Sequence, residues 1–144
     1  MLEITKSIEW DMGHRVPNHK HKCRNPHGHR YRLEMTVSGL ISQEKGTSQE
    51  GMVHDFGDIK QSLLANICTR LDHCFMASEE DAIFASLSKN EGKDLNIVLV
   101  PFVPTAENIV VWCYERLKDS LPAHLQIVRL RLFETPTSYA EFFP

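Results

Sequence analysis

The chain has 144 residues, room for one domain of ordinary size, because two half-length domains would each bury too little core to be stable. It is 42% hydrophobic, close to the globular average, and no apolar run approaches the length of a membrane span. A net charge of −3 argues against nucleic acid as the main partner; the charged, alternating start over residues 1–6 is not a signal peptide, so a cytoplasmic protein with reduced thiols is expected.

Residues 2–12 alternate, with Leu2, Ile4, Ile8, Trp10 and Met12 on one parity, and predict a half-buried strand. Residues 13–26, with Pro17, Pro26 and several polar residues, predict a loop. Residues 27–39 alternate cleanly: Tyr31, Leu33, Met35 and Val37 point one way, Arg30, Arg32, Glu34, Thr36 and Ser38 the other. After a polar connection over 42–51, Asp55 is a good helix N-cap, with Asp58 in the first turn. Ile59, Leu63, Leu64, Ile67 and Leu71 then form an apolar stripe of helical period. A short helix is predicted over 78–88, a polar loop over 89–94 and a strand or extended segment over 95–102. Thr105 caps a second main helix that turns Ile109, Trp112, Cys113 and Leu117 inward. Residues 126–134 alternate through Val128, Leu130 and Leu132, and 138–143 predict a last short strand. Strand, strand, helix, helix, strand, strand is an α+β order. It predicts a single domain over 1–144, an antiparallel sheet with helices on one face.

The chemistry concentrates near the start. Between Met12 and Leu33 there is no acidic residue, but there are six cations and the histidines His14, His19, His21, His27 and His29. His27 and His29 are two residues apart on a strand, so both side chains project to the parity of Tyr31 and Leu33. If the first two strands form a hairpin, His14 reaches the same point. Three neutral imidazoles with an open position suit a catalytic zinc ion. A structural site with Cys23 as fourth ligand has the same spacing. Cys23, between Lys22 and Arg24, is also a candidate nucleophile or base. Cys68 and Cys113 fall in apolar helical patterns and read as core thiols, and Cys74 as packing. Asp72-His73 pairs a carboxylate with an imidazole, an arrangement suited to proton transfer. Glu134 continues the core parity of Leu130 and Leu132. A carboxylate there needs a cation or a ligand presenting adjacent N–H donors, such as a guanidine-like ring edge.

Several stretches together resemble the 6-pyruvoyl- and 6-carboxytetrahydropterin synthase family. Cys23-Arg24-Asn25-Pro26-His27-Gly28-His29 is similar to the C-x3-H-G-H of the 6-carboxy branch, the 6-pyruvoyl branch having a longer spacing. Gly13-His14-Arg15, Gly51-Met52-Val53-His54-Asp55-Phe56, Leu71-Asp72-His73, Pro104-Thr105-Ala106-Glu107-Asn108 and Phe133-Glu134-Thr135 resemble its other motifs, in the family's order. Residues 77–100 are longer than in compact bacterial members, and the Asn of D-H-x-x-L-N is missing after His73. The resemblance implies a tunnelling fold, ββααββ, assembled as a homohexameric barrel with active sites between subunits. It implies Zn2+ held by His14, His27 and His29, Cys23 as base, and Asp72 with His73 as an acid–base pair. It implies Glu134 as the pterin anchor, helped by Thr105, and the basic stretch over 14–32 as the seat of a triphosphate. The implied enzyme is a carbon–carbon lyase. It turns 7,8-dihydroneopterin triphosphate into 6-carboxy-5,6,7,8-tetrahydropterin, acetaldehyde and triphosphate, a step of 7-deazaguanine (queuosine) biosynthesis. Two alternatives stand beside it: the 6-pyruvoyl product, and a noncatalytic zinc module that binds an anion or nucleic acid.

Overall fold

The structure is a computed structural model that describes residues 1–90 and 94–144, so part of the loop expected over 89–94 lies outside the described residues. Its frame is a long hairpin. β1 (Leu2–His14) pairs antiparallel with β2 (His27–Gly39) from Leu2↔Gly39 to His14↔His27, without interruption. β1 thus runs two residues beyond the strand expected over 2–12, into the segment read as loop.

Asp55 caps α1 (Phe56–Leu63) as expected, accepting the N–H groups of Gly57 and Asp58. The helix continues through a π-helical turn, Leu64–Cys68, and a last α-helical turn, Thr69–Leu71. A strand follows that periodicity could not show, β3 (Phe75–Ser78). It has four residues, and Met76, Ala77 and Ser78 are all buried, so it carries no alternation to read. Next come α2 (Ala82–Asn90), β4 (Ile97–Val100), α3 (Ala106–Leu117), β5 (Gln126–Thr135) and β6 (Ser138–Phe142).

The sheet has six strands in the order β4-β3-β1-β2-β5-β6. It is mixed, not antiparallel as expected, because β3 runs parallel to both β1 and β4. The order is therefore not ββααββ: β3, α2 and β4 intervene between the two main helices. Parallel neighbours need a crossover, and α1 with its extension supplies the one between β1 and β3.

One face of the sheet carries the core. Ile8, Trp10, Tyr31, Leu33, Met35 and Leu132 meet Ile59, Leu63, Ile67, Ile109, Cys113 and Leu117 of the helices. Truncating any of the fully buried leucines to alanine costs about 2–5 kcal/mol. The expected parity of β5 fails at one point. Thr36 pairs with Arg129 and Val37 with Ile127, so Val128 is the extra residue of a bulge and Ile127 is buried in its place. The other face is charged: Arg131 bridges Glu34 and Glu141, and Arg30 approaches Glu9 and Asp11. Thr36 and Ser38, assigned to that face, are buried as well, with Thr36 hydrogen-bonded to Thr5. All four cysteines are free thiols; Cys74 and Cys113 are buried and Cys68 packs at the core margin. Among the described residues no helix is long and apolar enough to cross a membrane.

Candidate metal centre and the groups around it

The hairpin register brings three histidines together. His14 lies directly across from His27, and His29 follows two residues later on the same side of β2. Ring centroids are 4.6 Å apart for His14 and His27, 5.2 Å for His14 and His29, and 5.0 Å for His27 and His29. One ligand nitrogen from each ring lies within 4.8 Å of the other two. Gly13 and Gly28 form the cross-strand pair between them. A Cβ on Gly13 would stand 2.7 Å from the Phe75 ring, and one on Gly28 3.2 Å from the Met12 carbonyl, so side chains here would push the strands apart.

In two of the three rings the second nitrogen, for which the sequence offered no partner, is held by a main-chain carbonyl. His14 Nδ1 is 2.7 Å from the Pro104 oxygen and His27 Nδ1 is 2.7 Å from the Asn25 oxygen. A carbonyl only accepts, so the proton sits on Nδ1 and the Nε2 lone pair stays free. His14 Nε2 and His27 Nε2 are indeed buried without a hydrogen-bond partner among the described residues. Such orphaned acceptors, facing one another, fit a divalent cation. Burial pulls the pKa of His14 down to about 4, against the pull of the Pro104 contact, with His27 and His29 adding to the drop. Burial and His27 also lower that of His29. Both rings are therefore neutral at neutral pH, the form in which an imidazole can bind a metal.

Cys23 is half-exposed and is not part of this cluster. It lies in the short 3-10 turn Lys22–Arg24, and its carbonyl accepts the N–H of Val16, which closes the loop over β1.

Glu134 stands beside the histidines, Oε1 being 3.7 Å from His14 Nε2. Burial pushes its carboxyl above the ordinary range and the neighbouring Glu107 adds to this, while His27 and Tyr31 oppose it. Of the two partners the sequence allowed, a cation or a ligand, no Lys or Arg among the described residues pairs with Glu134; the carboxylate lines a groove of about 540 Å3 together with His29, Arg30, Arg32 and Phe133. Thr105 caps α3, its hydroxyl oxygen accepting the Asn108 N–H at 3.4 Å. It follows Pro104 directly, so the cap that starts α3 also fixes the carbonyl that orients His14.

Asp72 and His73 pair with each other, Oδ1 to Nδ1 at 3.0 Å. They are not grouped with the three histidines, although His73 and His29 line the same groove. They gather instead with Asp11, whose strand parity is opposite to that of His14. The main chain of Asp11 grips both: its N–H donates to Asp72 Oδ1, and its carbonyl accepts from the His73 N–H. His73 has a left-handed backbone, φ 61°, and a side chain 78% exposed. Asp11 was not singled out from the sequence, where it looks like any polar residue of an alternating strand.

Sequence comparison agrees with the family resemblance. The profile described as 6-pyruvoyl tetrahydropterin synthase matches residues 3–144. The 6-carboxy-5,6,7,8-tetrahydropterin synthase of Haemophilus influenzae is 36% identical over 146 residues, covering 99% of each chain. That of Rickettsia bellii is 33% identical over 144 residues, covering 98% of this chain and 99% of the relative. Among solved structures, an uncharacterized protein from Wolinella succinogenes superposes with a TM-score of 0.77 at 23% identity, over 99% of this chain and 97% of that one. The Caenorhabditis elegans 6-pyruvoyl tetrahydropterin synthase superposes with a TM-score of 0.67 at 22% identity, over 99% and 95%; both likenesses concern the fold. With one family's profile running along nearly the whole chain and full-length relatives above 30% identity, this chain belongs to the 6-pyruvoyl tetrahydropterin synthase family of enzymes.

Proposed function

We propose that this chain is a zinc-dependent lyase that converts 7,8-dihydroneopterin triphosphate and water to 6-carboxy-5,6,7,8-tetrahydropterin, acetaldehyde and triphosphate, serving 7-deazaguanine biosynthesis. The observation that carries the reading is the pair of orphaned Nε2 atoms of His14 and His27, oriented by the Pro104 and Asn25 carbonyls. Full-length relatives named for this reaction support it, as does the three-residue spacing between Cys23 and His27.

His14, His27 and His29 hold the zinc, which when bound supplies Lewis acidity to the hydroxyls of the substrate side chain. Glu134 accepts two N–H groups of the pterin edge in bidentate fashion. Its carboxylate, 3.7 Å from His14, supports a reading in which the pterin edge would bind beside the histidines. Cys23, on the loop above, takes the side-chain proton. Asp72 holds His73 in one tautomer, and His73 relays protons. Because Asp72 and His73 sit with Asp11 on the opposite strand parity, their exposed side chains serve the site of a neighbouring copy. The reading therefore calls for a homo-oligomeric barrel, a hexamer, in which each site draws on two subunits.

The test is mass spectrometry of the products after zinc-loaded protein is incubated with 7,8-dihydroneopterin triphosphate. A 6-carboxytetrahydropterin with acetaldehyde is the expected result. A 6-pyruvoyl product would reassign the chain within its family. Unchanged substrate with zinc bound would remove the lyase reading in favour of a noncatalytic module.

A further inference from the structure

Of the cations in the basic stretch, Arg15 is already committed. It leaves the sheet immediately after His14, and its guanidinium forks onto Asp81, Nε to Oδ2 at 2.6 Å and Nη2 to Oδ1 at 3.0 Å. The Asp81 side chain is 1% exposed and that of Arg15 18%. Asp81 stands just before α2, its N–H donating to the Ser78 carbonyl and its own carbonyl accepting from Ala85. The guanidinium carbon lies 5.6 Å from the centroid of Phe84, which stacks on Phe75 at 4.2 Å. Phe75 in turn covers Gly13. A closed ring of contacts therefore runs from Gly13 and His14 through Arg15, Asp81 and Phe84 to Phe75 and back to β1.

We propose that Asp81, acting through Arg15, is a positioning residue for the metal-holding His14; this rests on the three-histidine site proposed above. His14 is the last residue of β1, paired with His27 on one side and Met76 on the other, and the chain beyond it leaves both ladders. Its ring is fixed at one end by the Pro104 carbonyl, and the Arg15–Asp81 fork fixes the backbone at the other. A planar fork with two hydrogen bonds defines direction as well as distance. Metal sites tolerate ligand displacements of only about 0.5 Å. Arg15 is, on this account, a structural cation and not one of the groups that receive phosphate.

The experiment compares zinc affinity by chelator competition in the full-length protein and its variants. Removing one partner leaves a buried charge and endangers the fold, whereas replacing both by apolar residues of similar volume is commonly tolerated. The double variant Arg15→Met/Asp81→Leu is therefore the main probe, and Asp81→Asn, which keeps an acceptor for Arg15, the second. Circular dichroism verifies that each is folded. The expected result is a zinc dissociation constant raised about 10- to 100-fold, the loss typical of a support behind a ligand. A changed d–d spectrum after cobalt(II) substitution should accompany it. Unchanged affinity and spectrum in the folded variants, even with a lowered melting temperature, would mean a purely structural ion pair and overturn the proposal. Failure of the underlying site would look different: wild type and His14→Ala would then bind zinc equally weakly, and the proposal would fall with it.

Discussion

His14 Nδ1 lies 2.7 Å from the carbonyl oxygen of Pro104, a contact that spans 90 residues and ties the end of β1 to the start of α3. It decides which nitrogen of His14 keeps its lone pair, and it ties the P-T-A-E-N stretch to the three-histidine cluster through a backbone carbonyl.

Replacing His27 by alanine should strip the zinc. His27 is half-exposed at the strand end, so the variant should fold and give an unchanged far-ultraviolet spectrum. Zinc measured by inductively coupled plasma mass spectrometry should fall from equimolar to near background. Full zinc retention would show that the three rings are not the metal centre.

Cys23→Ala should behave in the opposite way. The thiol stands outside the histidine cluster, so zinc should remain, while kcat drops about 100-fold or more with the loss of the base. Loss of zinc in this variant would instead make Cys23 a ligand.

Glu134→Gln should retain zinc and weaken substrate binding. An amide can accept in only one of the two bonds that a carboxylate makes to a pterin edge. Losing a charge-assisted hydrogen bond raises KM roughly 10- to 100-fold. An unchanged KM would remove Glu134 from the pterin site.

If Asp72 and His73 serve a neighbour's site, two inactive variants should rescue each other. Cys23→Ala and His73→Ala chains, unfolded and refolded together, should regain about a quarter of wild-type activity, the fraction of interfaces that combine two intact halves. No recovery in verified mixed oligomers would place the whole site within one chain.

Metal-free protein should be destabilised by acid in a defined window. The pKa of His14 is about 4 in the folded chain against 6.5 when unperturbed. Between these values the unfolded chain binds more protons, so stability rises with pH and is lost as pH falls. The loss from pH 7 to pH 5 should be about 2 kcal/mol, read from urea midpoints of chelator-treated protein. The lowered pKa of His29 acts in the same direction. A midpoint that is flat or rises on acidification would contradict a buried neutral His14.

Much of this was legible in advance because it is local. Asp55 and Thr105 cap the helices they were expected to cap, since a cap needs only a short side chain and the next turn. The three histidines were legible because strand alternation and a simple hairpin determine where they project. β3 was not, because a four-residue strand buried on both faces has no period. Nor was the bulge at Val128, which appears only when β5 is set against β2. The carbonyls of Pro104 and Asn25 were invisible for another reason: every residue has a carbonyl, so composition cannot mark the ones that matter.

The sequence by itself determined the hairpin, the starts of the two main helices, the trio His14, His27 and His29, and the motifs by which the chain resembles its family; the short helix expected over 78–88 starts instead at Ala82. All of these follow from spacing along one element or from residues a few positions apart. Only the tertiary structure decided that the sheet is mixed, that Asp72 and His73 turn to the face of Asp11, and that the charge of Arg15 is spent on Asp81, 66 residues away. Contacts over such separations are selected by how whole elements pack against one another, and local periodicity carries no record of that choice.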